Sequence, residues 1–167
     1  VLYSTAAAGV VVDLSNYEAS DDGDGGSDTL TNIENVNGSL FGDSITGDSG
    51  VNVFTGNGGN DTIYGLGGAD DLRGDGGDDT VYGGDGNDSL RGGSGVDVLD
   101  GGNDIDTVVY SSSLNGVVVN LSNNEASDDG NGDSDDLFNI ENVTGSSDDD
   151  SITGNSSANV INGGGGN

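Results

Sequence analysis

The sequence predicts an all-β protein in which short parallel strands stack as successive coils. Units of nine residues repeat through the middle of the chain, and each ends in a short segment with one apolar residue at its centre, as in a half-buried strand. Thirty-four glycines are spread along the chain and no segment has an apolar period of 3.6 residues, so helices are not expected. A second, longer repeat relates the two ends of the chain, which is typical of a tandem array.

The nine-residue repeat runs over residues 38–109 as eight consecutive units, each beginning with Gly. The sixth position of each unit carries an acid or its amide: Asp43, Asn52, Asp61, Asp70, Asp79, Asp88, Asp97 and Asp106. The eighth position is always apolar: Ile45, Phe54, Ile63, Leu72, Val81, Leu90, Leu99 and Val108. This regularity indicates one structural unit used eight times.

Each unit predicts a turn followed by a strand. The last three residues predict a strand with one inward side chain, and the Gly-rich first six predict a turn that needs positive φ. Two units then make one coil of 18 residues, and stacked coils form two parallel sheets with a rung spacing of about 4.8 Å. The eighth-position side chains meet between the sheets, and the sixth-position side chains stack along the turns.

The longer repeat has a period of 107 residues, because residues 1–60 align without a gap to residues 108–167 with about two-thirds identity. The segment VVVDLSNYEASDD at 10–22, for example, recurs as VVVNLSNNEASDD at 117–129. We expect one continuous solenoid, cut from a longer array. Its parts are a wider coil with an acidic loop (1–37), the nonapeptide coils (38–109), a second copy of the wider coil (110–144) and the start of a second nonapeptide block (145–167).

The composition excludes several classes of function. The chain has a formal net charge of −29, its only basic side chains are Arg73 and Arg91, and it contains no Cys or His. Zinc sites, Cys or His nucleophile systems and nucleic-acid binding are therefore not expected. No apolar run approaches the roughly 20 residues that span a bilayer. Paired carboxylates could hydrolyse glycosides, but these pairs recur at every rung, as ligands do, whereas an active site occurs once, so we predict that the chain is not an enzyme.

The stacked turns require a cation. Asp side chains 18 residues apart would lie about 5 Å from one another and repel in a metal-free stack. Calcium is a hard cation that takes six to eight oxygen ligands from carboxylates and carbonyls and tolerates irregular geometry. Magnesium demands stricter octahedral geometry, and softer metals prefer the nitrogen and sulfur ligands that the chain lacks. The sequence therefore predicts calcium.

These units resemble the RTX (repeats-in-toxin, or hemolysin-type) calcium-binding nonapeptide GGxGxDxUx. GGDGNDSLR (83–91) and GGSGVDVLD (92–100) match it at every fixed position, and the GVVVxLS and NIENV segments are similar to those that interrupt RTX arrays. The resemblance covers 38–109 and 145–167. It implies a right-handed parallel β-roll with calcium between turns 18 residues apart on the same edge.

The resemblance also implies the ligands of about six calcium ions between residues 38 and 106. The paired side chains would be Asp43–Asp61, Asp61–Asp79 and Asp79–Asp97 on one edge, and Asn52–Asp70, Asp70–Asp88 and Asp88–Asp106 on the other. The lower turn would offer its second and fourth carbonyls, and the upper turn its first and third. These carbonyls belong to Ser39, Phe41, Asp48, Gly50, Gly56, Asn57, Gly58, Gly59, Gly65, Leu66, Gly67, Gly68, Gly74, Asp75, Gly76, Gly77, Gly83, Gly84, Asp85, Gly86, Gly92, Ser94, Gly101 and Asn103.

Three units depart from the motif. Asn52 removes one charge, so its site is expected to be the weakest. Leu40 and Phe41 replace small residues in the first turn, and Asp104 replaces the fourth-position Gly in the last.

The acidic loops at 21–28 and 128–135 are further candidates for calcium binding. Their alternating acids resemble the start of an EF-hand loop, although the bidentate Glu of that loop is missing. The alternative is a solvated acidic loop. The possible additional ligands are Asp22, Asp24, Asp28, Asp129, Asp133 and Asp135, with Asp150 in the second nonapeptide block.

The resemblance implies type I secretion from a Gram-negative bacterium and folding outside the cell, where calcium is plentiful. We therefore predict an extracellular, calcium-binding structural module whose partners are calcium ions and neighbouring repeats. The alternative is a carbohydrate-contacting accessory module of a polysaccharide-active enzyme. It would use outward ninth-position side chains such as Tyr64, Tyr82, Arg73 and Arg91, which are otherwise ordinary surface residues.

Overall fold

The computed structural model describes residues 1–166, and in that range the chain forms strands, turns and loops without a helix. The strands form a seven-stranded sheet and an eleven-stranded sheet around one hydrophobic core. Their bounds are β1 (Val11–Asp13), β2 (Glu18–Asp21), β3 (Asp28–Thr29), β4 (Asn35–Asn37), β5 (Ser44–Thr46), β6 (Val53–Gly58), β7 (Thr62–Gly67), β8 (Asp71–Gly76), β9 (Thr80–Asp85), β10 (Ser89–Ser94), β11 (Val98–Asn103), β12 (Thr107–Val109), β13 (Val118–Asn120), β14 (Glu125–Asp128), β15 (Asp135–Phe138), β16 (Asn142–Thr144), β17 (Ser151–Thr153) and β18 (Ile161–Asn162).

The nonapeptide strands alternate between the two sheets and stack in parallel, as the repeat predicts. In the seven-stranded sheet Phe54 pairs with Leu72, Leu72 with Leu90 and Leu90 with Val108, in steps of 18 residues. The eleven-stranded sheet has the same step along β5, β7, β9 and β11. All eight eighth-position side chains are fully buried. The β-solenoid with one coil for every two units is therefore confirmed.

The strands are longer and the turns shorter than the sequence predicts. Strands β6 to β11 each span six residues, from position seven of one unit through position three of the next. Only positions four to six lie outside the strands. The expectation of six residues outside the strands was wrong because the second and third residues also join the parallel ladder, as the pairing of Asn57 with Asp75 and of Gly58 with Gly76 shows. The whole segment from position one to position six of a unit is called its Gly-Asp turn.

Positive φ angles occur at two places in each central unit. At the fourth position the values run from 102° at Gly59 to 126° at Gly77 and Gly86. At the second position the left-handed conformation is adopted by Leu66 at 72° and Asp75 at 75° as well as by Gly. The chain therefore bends through the left-handed region twice in each unit, which is why glycine is so frequent there.

The wider coils insert a hairpin into the eleven-stranded sheet. In the second copy, β15 stacks on β11 and β16 on β12, both in parallel. The antiparallel pair β13–β14 lies between β15 and β17 in the sheet order. In the first copy, strands β3, β2, β1 and β5 follow the same order, so the 107-residue repeat is also a structural repeat.

The core continues from the nonapeptide coils into the wider coils. Val117, Val119, Leu121 and Ala126 are buried in the second copy, as are their counterparts in the first. No segment of residues 1–166 is a helix that could cross a membrane.

Candidate metal sites at the Gly-Asp turns

The sixth-position side chains line the two edges of the nonapeptide coils, and all eight are buried. In each predicted pair, the backbone N–H of the lower residue donates to Oδ1 of the upper Asp at 2.8 Å. Each Asp thus lies directly above the turn that precedes it by 18 residues. The structure brings together all six predicted pairs.

The second carboxylate oxygen of six of these Asp residues has no hydrogen-bond partner within residues 1–166. The buried, unpartnered Oδ2 atoms belong to Asp61, Asp70, Asp79, Asp88, Asp97 and Asp106. Buried polar atoms are nearly always hydrogen-bonded, and an isolated buried charge is very costly. A row of such oxygens along each edge is the arrangement expected of cation ligands.

Each unpartnered oxygen lies beside the first-position glycine of its own turn. A Cβ atom built on Gly56 would collide with Asp61 Oδ2 and would lie 2.8 Å from the carbonyl oxygen of Gly74, in the turn above. Gly65 has the same relation to Asp70 Oδ2, with the carbonyl oxygen of Gly83 2.5 Å from the Cβ position. A carboxylate oxygen and a carbonyl oxygen from the next coil thus converge on one small space. Calcium prefers this set of oxygen donors, so these turns fit the ion.

Burial raises the pKa of these carboxyl groups. Loss of hydration is the main cause, and it raises the pKa of Asp79 to about 8 and that of Asp61 and Asp106 to about 7. Neighbouring carboxylates add to the shift: Asp97, Asp61 and Asp75 act on Asp79. The pKa of Asp70 and of Asp97 rises to about 6, and that of Asp88 also rises. Without a cation these groups hold protons more readily, so protons and calcium compete for them.

The predicted carbonyl ligands lie in the same turns. The first-position carbonyls of Gly74, Gly83 and Gly101 face the unpartnered oxygens of the coil below. The third-position carbonyls of Gly76, Asp85 and Ser94 each accept one hydrogen bond, from the fourth-position N–H of the turn below. No group of three or more acidic side chains in residues 1–166 has the geometry to hold a metal ion. A cation here would therefore depend on backbone carbonyls as much as on the Asp pair.

The two lowest turns differ from the six above because their side-chain oxygens already have partners. Asp43 Oδ2 accepts the Ser39 N–H at 2.7 Å, and Asp43 Oδ1 accepts the Val10 N–H at 2.7 Å and the Ser39 hydroxyl at 2.8 Å. Asn52 Oδ1 accepts the Asp48 N–H at 3.0 Å. In these turns backbone and hydroxyl donors satisfy the oxygens that the other turns leave unpartnered.

The second nonapeptide block repeats this arrangement. Asp150 accepts the Ser146 N–H at 3.0 Å, the Ser146 hydroxyl at 2.9 Å and the Val117 N–H at 2.9 Å. Asn159 Oδ1 accepts the Asn155 N–H at 2.9 Å. Asp150 therefore has the contacts of Asp43, as the 107-residue repeat requires.

Two acids of the second wider coil continue the rows of sixth-position residues. The Asp97 N–H donates to Asp135 Oδ1 at 3.2 Å, and the Asp106 N–H donates to Glu141 Oε2 at 3.1 Å. Sequence reasoning placed Asp135 in an acidic loop and missed Glu141, because their separations from Asp97 and Asp106 are 38 and 35 residues rather than 18. The signal that could have found them is an acid two positions before a buried apolar residue, Leu137 or Val143, as in the nonapeptides other than that of Asn52.

The acids of the first acidic loop accept hydrogen bonds from the loop's own backbone and from residues 3–7. Asp22 Oδ1 accepts the N–H groups of Asp24 and Gly26, both at 2.9 Å, and these bonds lower the pKa of Asp22. Asp24 Oδ1 accepts the Ala7 N–H at 3.2 Å, and Asp28 Oδ2 accepts the Tyr3 hydroxyl at 3.5 Å.

In the second copy, Asp129 Oδ1 accepts the N–H groups of Asn131, Gly132 and Asp133 at 2.8–3.1 Å. Asp133 is exposed. Calcium binding by these loops stays a prediction.

The stacked Gly-Asp turns define a class of protein, the β-solenoid built from calcium-binding repeats. A family model of the RTX calcium-binding nonapeptide repeat matches residues 37–72, 46–81, 73–108 and 139–167. The matches cover more than half of the 167 residues, so the chain belongs to the RTX calcium-binding nonapeptide repeat family. RTX repeats bind calcium and are characteristic of secreted bacterial proteins. A comparison with curated protein sequences found no match.

Proposed function

We propose that this chain is a non-catalytic structural module of a larger secreted or cell-surface bacterial protein, and that it folds when calcium enters its turns after export. The observation that carries the proposal is the row of buried, unpartnered carboxylate oxygens along each edge of the coils. The net charge of the chain is −29, and its two basic residues are too few to neutralise these carboxylates. Calcium ions would supply the positive charge. Calcium binding and folding would then be one process.

The proposal distinguishes between the predicted sites. In four pairs, Asp61–Asp79, Asp79–Asp97, Asp70–Asp88 and Asp88–Asp106, the lower Asp has an unpartnered Oδ2. In the Asp43–Asp61 and Asn52–Asp70 pairs, the lower residue has its oxygen satisfied by hydrogen bonds. We expect the four to bind calcium more tightly than the two.

Circular dichroism during a calcium titration tests this function. The chain should lack β structure in excess chelator and gain it cooperatively as calcium reaches the range of roughly 10⁻⁴–10⁻³ M, at which extracellular modules bind calcium. Magnesium at the same concentrations is the control and should have little effect. A chain that stays folded in excess chelator at pH 8, or stays unfolded in millimolar calcium, would refute the proposal.

The carbohydrate-contacting alternative depends on the outward side chains of the coils. Tyr64 and Tyr82 stack with ring centroids 4.9 Å apart and planes within 5°. Arg73 forms an ion pair with Asp71 at 2.7 Å. One face of each tyrosine ring is therefore covered by the other ring, and Arg73 is already paired with Asp71. These contacts favour a structural role for the three side chains. Glycan binding that is lost in Tyr64→Ala or Arg73→Ala would favour the alternative instead.

A further inference from the structure

The last two turns of the nonapeptide block, 92–97 and 101–106, have the same unsatisfied oxygens as the turns below them. Asp97 and Asp106 are both fully buried, and neither Oδ2 has a hydrogen-bond partner in the described part of the chain. No nonapeptide unit lies above either residue, since the coil above them belongs to the second wider coil. These two oxygens are therefore not explained by pairs of nonapeptide turns.

The wider coil places matching donors above one of these turns. A Cβ atom built on Gly101 would lie 2.5 Å from Asp106 Oδ2 and would collide with the carbonyl oxygen of Asn139. In the turns below, the carbonyl in this place comes from a first-position glycine, for example Gly101 itself above Asp88. Glu141 lies where the upper Asp lies in a nonapeptide pair, because its Oε2 accepts the Asp106 N–H.

The other edge has the same backbone hydrogen bond at Asp97. Asp135 accepts the Asp97 N–H through Oδ1, as each upper Asp does in the nonapeptide pairs. The loop that precedes Asp135 lies against the same turn, since Asn131 Nδ2 donates to the carbonyl oxygen of Gly93 at 2.7 Å. The second oxygen of Asp135 accepts the Tyr110 hydroxyl at 3.0 Å, which ends the row of unpartnered oxygens on this edge.

We propose that two further calcium ions bind at the junction between the nonapeptide coils and the second wider coil, one between Asp97 and Asp135 and one between Asp106 and Glu141. This inference rests on the proposed calcium-dependent folding of the module. The two ions clamp residues 110–144 onto the coils below, so that calcium also organises a segment without a nonapeptide motif. Asp135 is a ligand through this contact and not as a member of an isolated acidic loop.

Glu34 and Asp136 are the matched controls. Glu34 is the counterpart of Glu141 by the 107-residue repeat, and Asp136 directly follows Asp135 in β15. Both are exposed, and neither is a proposed calcium ligand. Asp136→Asn and Glu34→Gln therefore make the same chemical changes without touching the proposed sites.

Native mass spectrometry in saturating calcium counts the bound ions. Asp135→Asn and Glu141→Gln should each bind one ion fewer than the unsubstituted chain, and the double variant two fewer. Asp136→Asn and Glu34→Gln should keep the full number. Hydrogen exchange should show faster exchange of the 110–144 amides in the junction variants, while the amides of β7 to β10 stay protected.

The ion counts distinguish failure of the junction sites from failure of the proposed calcium-binding function. Full ion counts in both junction variants of a calcium-binding chain would overturn the junction sites and leave the proposed function standing. Equal losses in the junction and control variants would overturn them too, because a general effect of charge would then be responsible. If one junction variant did not fold, the ion count of the other would decide, since the two lie on different edges. No calcium binding by the unsubstituted chain would refute both proposals.

Discussion

The two wider coils have nearly the same sequence but different surroundings. In the second copy Asp135 is only 2% exposed and accepts a hydrogen bond from the coil below, whereas its counterpart Asp28 is exposed. Asp129 is fully buried, whereas its counterpart Asp22 is partly exposed. The second copy stacks on β11 and β12, whereas in the described residues β3 has no strand on its outer side and β4 pairs there only with the segment at Leu2. The burial of these acids therefore follows the coil on which they stack, since the local sequence is nearly the same in both copies.

The largest loss of stability is expected when an Asp that belongs to two proposed sites is replaced. Asp79→Ala removes a ligand from the Asp61–Asp79 and the Asp79–Asp97 pairs. At a calcium concentration 100-fold above Kd, each site contributes about 2.7 kcal/mol, so the loss should be about 5 kcal/mol in the free energy of unfolding. Urea unfolding in saturating calcium measures it.

Glu34→Ala is the control for this change, because it removes an exposed acid that is not a proposed calcium ligand and should leave the midpoint nearly unchanged. Similar destabilisation by the two substitutions would contradict the comparison between buried and exposed acids.

A smaller loss of stability is expected when a methyl group fills the space beside the first-position glycine of one proposed site. Gly56→Ala places a Cβ against Asp61 Oδ2 and the Gly74 carbonyl oxygen. Gly163→Ala makes the same change at the counterpart position, where nothing lies within 4 Å of the Cβ. We expect Gly56→Ala to lose one calcium ion and about 3 kcal/mol of stability, and Gly163→Ala to change stability by less than about 1 kcal/mol.

Calorimetric titration with calcium gives both the number of ions and the affinity for these two variants. If Gly56→Ala binds as many ions as the unsubstituted chain, the space beside the glycine is not the binding site.

The stability of the calcium-free chain should rise as the solution is acidified. The folded-state pKa values of Asp61 and Asp79 are about 7 and 8, above the value of 3.8 for an unperturbed Asp, so the folded state binds more protons than the unfolded state between these limits. Stability is therefore gained as the pH falls from about 8 toward 4. Calcium affinity should fall as the pH falls, because protons compete with the ion for the carboxylates.

Circular dichroism in chelator at pH 8 and pH 5 checks the first part, and calcium titrations at the same two pH values check the second. Calcium binding that is equally tight at both pH values would show that the buried carboxylates do not hold the ion.

The smallest effect on calcium binding is expected at the lowest turn. Asp43 has hydrogen bonds to both oxygens, so Asp43→Asn should leave the number of tightly bound ions unchanged. Asp61→Asn removes a charge from an acid with an unpartnered oxygen and should lose at least one ion. Native mass spectrometry compares the two. Loss of a tight site in Asp43→Asn would mean that calcium replaces the contacts from Ser39.

The sequence was sufficient to predict the coil and much of the site. The nine-residue period and its apolar eighth position predict the 18-residue step that pairs Phe54 with Leu72, and the stacking of the sixth-position Asp residues follows from it. The period could not reveal which oxygens have partners. Asp43 and Asp61 occupy the same position in their units, but Ser39 at the second position of the first unit supplies donors that Asn57 does not.

The junction could not be predicted from the period because a hairpin interrupts it. The pair β13–β14 lies between Asp106 and the next stacked strand, so Asp135 and Glu141 fall outside the 18-residue step. The repeat does not specify the length of such an insertion. The stacking of β15 on β11 and of β16 on β12 shows where the chain rejoins the coils.

The most direct test of the account is the location of calcium itself. An anomalous difference map from crystals grown in calcium should show a peak beside each unpartnered Oδ2, between Asp61 and the Gly74 carbonyl, for example, and between Asp106 and the Asn139 carbonyl. It should show none, or weaker ones, at Asp43 and Asn52. Turns without peaks, or calcium bound at the acidic loops alone, would contradict the account.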